Sequence, residues 1–254
     1  MKPYIFVEKD GIHIIDLTKT EAKLTEALNF VEQLGRAGGT LMLVGTKRQA
    51  NPIIETDGQV ANLPHISRRW RGGLLTNFPT MKGRIKYLKQ IREQMATKNF
   101  GDMTKQEIGL LEKKLVLLEE AFGGVDMLEE LPNAIFIVDT IREKIALREA
   151  KKLGIPVIAM VDTNADPSGI DFVIPANDDA KQGIQLIVQA IVEAYSSERR
   201  TKAQVAAAKQ AEEAVSEPEL GEVLAQKEVV EVMEKHEEAA KETPLKGKKS
   251  NIKQ

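Results

Sequence analysis

The chain contains no cysteine. A disulfide framework and a thiolate metal site are therefore excluded, and the absence fits a reducing cytoplasm. No apolar run approaches the roughly 20 residues that a bilayer-spanning helix requires. The stretch from Met1 to Asp10 places acid and base directly behind a short apolar run, so it does not read as a signal peptide. His13, His65 and His236 are scattered, with no H-x-x-x-H or H-E-x-x-H spacing, which leaves a histidine metal site or triad unsupported. Neither G-x-x-x-x-G-K-[ST] nor G-x-S-x-G occurs, so a Walker-type phosphate loop and a nucleophile elbow are missing as well. There is no internal repeat.

Net charge is also scarce. It is −2 over 254 residues, which taken alone argues against a polyanionic partner. The mean conceals an asymmetry. Between Arg68 and Lys98 the bases are Arg68, Arg69, Arg71, Lys82, Arg84, Lys86, Lys89, Arg92 and Lys98, and the acid is Glu93. From Asp102 to Glu130 acids dominate, against Lys105, Lys113 and Lys114. Local field rather than net charge attracts a polyanion.

What is present is an alternation of strand and helix signals, with 42% apolar residues to supply a core. Tyr4–Glu8 and Ile12–Asp16 flank Lys9-Asp10-Gly11 and predict a hairpin. Thr18 with Glu21 reads as a capping box opening a helix to about Leu34, ended by Gly35, Gly38 and Gly39. Leu41–Val44, Ala134–Val138 and Val157–Val161 are continuous apolar runs, as expected for strands covered on both faces. Phe172–Ile174 is a further short strand. Helices are predicted from Lys47 to about Asn62, irregular at Pro52 and Gly58, and over Ile141–Leu153. A last helix, capped by Asp178 or Asp179, runs through Ile184, Ile187, Val188, Ile191 and Tyr195. Residues 63–80 read as loop. The pattern implies an α/β fold, a mainly parallel sheet with helices on both faces.

Residues 81–123 interrupt that pattern. Met81, Ile85, Leu88 and Met95 recur at near-heptad spacing with Arg92 in the missing position. Thr104 and Glu107 form a capping box before Ile108, Leu111, Leu115 and Leu118, and Gly123-Gly124 stops the helix. The expectation is an inserted antiparallel coiled-coil helical hairpin with a basic first arm and an acidic second. The α/β domain is then discontinuous, 1–80 and 124–200. Residues 201–254 form a charged tail that is disordered or partly helical.

Three constellations carry chemistry. Gly45-Thr46-Lys47-Arg48 lies where a strand hands over to a helix. Free N–H groups beside Lys and Arg suit a phosphate there, or the segment is an ordinary turn. Asp139, Asp162 and Asp178 or Asp179 fall at strand carboxyl ends. They would hold a hard cation such as Mg²⁺, or serve as turn and cap residues. The third is Arg68 to Phe78, with Trp70 between arginines and Gly72-Gly73 beside them. Arginines fork onto phosphates and an aromatic ring stacks on a base. Alternatively Trp70 anchors the core and the glycines turn the chain. The continuation of positive charge through Lys82, Arg84, Lys86 and Lys89 favours RNA.

Taken in order, Ile12–Leu17, Leu43–Ala50, the Arg-Trp-Gly-Gly segment, Ile137-Val138-Asp139, Asp162-Thr163-Asn164 and Asn177–Ala180 resemble the second of the numbered ribosomal-protein families of the bacterial small subunit. The resemblance runs from Met1 to about Ser196. It implies a Rossmann-like sheet and no catalytic activity. It implies a seat on small-subunit ribosomal RNA near the head–body junction, in the cytoplasm. Neighbouring small-subunit ribosomal proteins, including the mRNA-binding protein number one, are the implied partners, with no membrane and no small-molecule substrate. The implied RNA-binding residues are Lys47, Arg48, Arg68, Arg69, Arg71, Gly72, Gly73, Asn77, Lys82, Arg84, Lys86 and Lys89. No cofactor is implied beyond a structural Mg²⁺ at Asp162 and Asp178. The family pattern opens with a further segment, bearing a His-Phe-Gly-His block and a Trp-Asn-Pro-Lys run, ahead of the position of Met1. Its absence is expected to reflect a misassigned start codon or a truncation. Arg71 stands where the family commonly has an apolar residue. The runner-up reading is a Rossmann-like nucleotide-binding enzyme or sensor using the Gly45–Lys47 turn. A third is a coiled-coil scaffold that binds protein.

Overall fold

The computed structural model describes residues 1–101 and 103–216. The chain divides into two compact units, Met1–Thr201 and Lys202–Gln254. Of the second, residues 202–216 are helical. The expected tail, disordered or partly helical over 201–254, lies from residue 217 onward outside the described residues.

The first unit opens with a hairpin of β1 (Ile5–Lys9) and β2 (Ile12–Ile15), antiparallel and separate from the main sheet. Asp10 and Gly11 both take positive φ, 53° and 76°, as a two-residue turn matched to strand twist requires. Helix α1 (Leu17–Ala37) follows. Its cap is Asp16, whose side chain accepts from the Thr18 amide at 3.1 Å, and not the expected Thr18–Glu21 box. The acceptor one residue before the helix captured the free amide first. Gly38 ends α1 in the left-handed conformation.

The main sheet has five parallel strands in the order β4-β3-β5-β6-β7, where β3 is Leu41–Val44, β4 His65–Ile66, β5 Ala134–Val138, β6 Val157–Val161 and β7 Phe172–Pro175. β4 fell in the stretch read as loop. Every residue of β3, β5 and β6 is buried, because helices cover both faces. Alternate side chains divide between two cores. Leu41, Leu43, Phe136, Val138, Ile158 and Met160 pack with Val31 of α1, Ile54 of α2 (Asn51–Val60) and Ile184, Val188 and Tyr195 of α6 (Lys181–Ser216). Met42, Val44, Ile135, Ile137, Ala159 and Val161 face the other way. They meet Trp70, Leu74, Leu75, Ala146 and Ala150. Pro52 opens α2 instead of interrupting it, since a first-turn residue has no intrahelical N–H bond to lose.

Helices α3 (Phe78–Thr97) and α4 (Lys105–Phe122) lie against one another. Thr104 and Glu107 form the predicted capping box. The buried residues of α3 are Phe78, Ile85, Leu88 and Ile91, so Ile91, and not the heptad position held by Arg92, continues the apolar stripe. Ile85, Leu88, Ala121 and Phe122 belong to the same core cluster as the Trp70 face of the sheet. Helix α5 (Lys144–Leu153) completes that face, closed by Gly154 at φ 68°.

Candidate nucleic-acid interface

The predicted basic residues separate into distinct environments. Lys47, just past β3, sits at the carboxyl ends of the strands. Its Nζ lies 2.6 Å from Asp178 Oδ1, 2.7 Å from Asp179 Oδ1 and 3.7 Å from Asp139 Oδ2. Burial works against its charge, but the carboxylates outweigh burial and hold it well above the usual lysine range. The aspartates are occupied in turns as well. Asp139 Oδ1 accepts from the amides of Ile141 and Arg142, both at 3.0 Å, and Asp162 Oδ1 from the Thr163 amide. Carboxylate oxygens of Asp162, Asp178 and Asp179 lie within 4.8 Å of one another, with the Lys47 ammonium already beside two of the three.

The neighbouring turn is likewise filled from within. The Thr46 amide donates to Glu143 Oε1 at 3.0 Å, the Thr46 hydroxyl donates to the same oxygen, and Arg142 Nε donates to Thr46 Oγ1 at 2.9 Å. Burial raises the Glu143 carboxyl, partly offset by these donors. Arg48 is exposed.

Arg68 faces a polar cleft of about 500 Å³ that also holds Arg92, Glu55, Glu119, Glu120 and Asp126, and its Nη1 lies 3.8 Å from Glu120 Oε1. Arg92 bridges Glu119 and Asp126 at 2.7–2.9 Å. Arg71 and Arg84 line a different cleft, of about 430 Å³, together with Lys114, Met81, Leu117, Leu118, Ala121 and Phe122. No carboxylate lines this second cleft. Lys114 Nζ donates to Tyr87 Oη at 2.9 Å and lies over its ring. Lys82, Lys86 and Lys89 are spaced i, i+4, i+7 on α3 and so share one edge of it; Lys82 donates to the Glu129 carbonyl at 2.7 Å. The side chains of Arg69, Arg71, Arg84, Lys86 and Lys89 are exposed. Among the described residues they enter no ion pair or hydrogen bond.

The loop that carries Arg69 and Arg71 is organised from below by a residue that the sequence reading missed. Glu149, on α5, is 7% exposed. Its Oε1 accepts from Trp70 Nε1 at 3.2 Å and the Gly73 amide at 2.6 Å. Its Oε2 accepts from the amides of Leu75 and Thr76 at 3.0 and 3.1 Å and from Thr76 Oγ1 at 3.2 Å. Burial pushes the carboxyl up, but these donors outweigh it and hold the group below the usual glutamate range. Trp70 is 6% exposed, so its ring is a core anchor and is closed to base stacking. Gly73 adopts φ 86° to aim its amide at Glu149, whereas a Cβ on Gly72 would meet open space. Asn77 is exposed and caps α3 through its backbone, without a side-chain bond. The sequence signal for Glu149 was present: it lies three residues after Ala146 and one before Ala150, on the buried stripe of α5.

The profile of the family described as ribosomal protein S2 matches residues 1–198. Relatives named small ribosomal subunit protein uS2 are similar over most of this length. That of Chloroflexus aggregans is 48% identical over 194 residues, 76% of this chain and 82% of the relative. That of Chlorobium phaeobacteroides is 45% identical over 202 residues, 80% of each. That of Phocaeicola vulgatus is 43% identical over 190 residues, 75% of this chain and 68% of the relative. The enzyme or sensor reading is thereby overturned, and the donors it needed at Thr46 and Lys47 are held by Glu143, Asp178 and Asp179. The chain belongs to the ribosomal protein S2 family of the small ribosomal subunit, a family of ribosomal components and not of enzymes.

Proposed function

We propose that this protein is a structural constituent of the bacterial small ribosomal subunit that docks on small-subunit ribosomal RNA through the Arg68–Asn77 loop and the basic edges of α3. One observation carries the reading. Arg69, Arg71, Arg84, Lys86 and Lys89 are exposed without internal partners, while Lys47 and Arg92, equally basic, are neutralised by carboxylates of the same chain. Unpartnered cations clustered within about 20 residues generate the local field that condenses on phosphates. Arg71, Arg84 and Lys114 surround an acid-free cleft that suits an RNA backbone. Gly72 lines this cleft as well, and Asn77 and Lys82 lie on the adjoining start of α3; exposed Arg48 and Arg68 are assigned to RNA by the family resemblance. Lys47 and Gly73 we assign to internal structure, Lys47 as the cation of the Asp139, Asp162, Asp178 and Asp179 cluster in place of a structural Mg²⁺.

Family membership supports the finer placement: the cytoplasmic ribosome, near the head–body junction, beside other small-subunit proteins including the mRNA-binding protein number one. The work done is phosphate neutralisation and shape-matched docking. The test is the Arg69→Ala, Arg71→Ala, Arg84→Ala, Lys86→Ala variant. Its occupancy in purified small subunits, read by mass spectrometry, is expected to drop while its melting temperature stays at the wild-type value. Wild-type occupancy would sink the proposal.

A further inference from the structure

The RNA reading leaves unexplained why a charged residue is buried beneath the arginine loop. Glu149 is anchored on α5 and points away from solvent, yet every donor it takes comes from Trp70, Gly73, Leu75 and Thr76. Those residues bracket Arg71 and immediately follow Arg69. A loop of this length has many accessible conformations, and the side chains of Arg69 and Arg71 make no hydrogen bond or ion pair of their own that would fix it. Charge-assisted bonds to one carboxylate are stronger than neutral ones and leave little freedom at the amides they hold. Three of the bonds are to backbone N–H groups, so they fix the chain's path irrespective of side-chain identity. The Gly72-Gly73 pair takes its meaning here: Gly73 adopts the left-handed turn that delivers its amide to the carboxylate.

We infer that Glu149 is the positioning residue of the RNA-binding loop, a buried internal anion that the loop wraps and that sets the direction in which Arg69 and Arg71 face a phosphate backbone. This rests on the RNA reading above. It also assigns the loop's amides to the protein itself, so that phosphates are met by arginine side chains and not by a backbone nest.

The test uses the full-length chain and small subunits depleted of this protein, with affinity measured across a salt series. Glu149→Gln keeps the size of the side chain but presents an NH₂ group to one of the two donor clusters. Hydrogen exchange at Gly73, Leu75 and Thr76 is expected to accelerate while the amides of β3, β5 and β6 stay protected. Trp70, the sole tryptophan, is expected to shift its emission to longer wavelength. Affinity is expected to fall about tenfold or more, and the slope of log K against log salt to shrink by about 1.5, the loss of two phosphate contacts. A variant that merely folds less well lowers affinity at every salt concentration without changing the slope. In an Arg69→Ala, Arg71→Ala background the Glu149 substitution is expected to add nothing further.

Loop amides that remain protected in Glu149→Gln, or an unchanged slope, would overturn the inference. If that variant does not fold, Glu149→Asp takes its place, retaining the charge but withdrawing it by one methylene. Faster loop exchange with a wild-type slope in Glu149→Asp also overturns the inference. A wild-type slope in Arg69→Ala, Arg71→Ala itself would instead sink the RNA reading, whatever the exchange data say of the latch.

Discussion

Lys47 and Arg92 direct their charge inward, onto Asp178 and Asp179 in one case and Glu119 and Asp126 in the other. Arg69 and Arg71 direct theirs outward from a loop tied to Glu149. That carboxylate makes its own prediction about pH. Its folded pKa lies below the ordinary glutamate value of 4.5, so its stabilisation is fully present above that value and is lost as pH falls through the folded pKa. Glu143 has the opposite sign: burial raises its carboxyl, so acid relieves a penalty there. Trp70 emission should therefore report loosening of the loop below pH 4.5 before the sheet unfolds, and Glu149→Gln should abolish that acid-dependent step. The substitution should also cost about 2–4 kcal/mol at neutral pH, since charged hydrogen bonds contribute about 1.5–3 kcal/mol each and one oxygen remains to accept. Chemical denaturation measures the cost. Glycines separate just as sharply. A Cβ on Gly72 meets nothing within 4 Å, whereas one on Gly58 would lie 2.6 Å from the His65 ring and one on Gly124 would collide with the His65 backbone. Gly72→Ala should leave the melting temperature near wild type, and Gly124→Ala should lower it by several degrees.

Elements differ in how plainly the sequence announces them. The strands Ala134–Val138 and Val157–Val161 were legible because a strand buried on both faces has no polar alternation to confuse it. The cap of α1 was misplaced because Asp16 and Thr18 both offer an acceptor within reach of early amides, a competition decided by geometry. β4 escaped notice because two residues are too few to show a period. The α3 stripe turned on one position. Ile91 and Arg92 are adjacent, and in the fold the isoleucine is buried while Arg92 turns to Glu119 and Asp126. For the candidate interface, composition pointed to the segment, but which cations are free and which are paired depends on contacts between residues far apart, such as Lys47 with Asp178. An element-scale prediction follows from α4. Gly109 lies mid-helix with open space at its Cβ position. Gly109→Ala should therefore stabilise the protein by about 0.5–1 kcal/mol, measured by denaturant midpoint, without altering small-subunit occupancy.

For the whole molecule, a net charge of −2 is compatible with a polyanionic partner because Lys47 and Arg92 are paired with acids while Arg69, Arg71, Arg84, Lys86 and Lys89 are exposed without such partners. The cleft holding Glu55, Glu119, Glu120 and Asp126 lies on one flank of α3 and α4, and the acid-free cleft of Arg71, Arg84 and Lys114 lies elsewhere along the same pair. The α/β sheet supplies a rigid base for this division. Its Trp70-side core extends into α3, α4 and α5, so the basic loop, the basic helix edges and Glu149 are mounted on one packed face. Docking driven by phosphate neutralisation should weaken steeply as salt rises. RNA–protein cross-linking in small subunits purified from the native host, with cross-linked peptides identified by mass spectrometry, tests docking through the basic loop and α3 most directly. RNA-linked peptides from residues 68–89 are expected. RNA-linked peptides confined to α1 and the 181–197 part of α6, on the opposite face of the sheet, would contradict that docking.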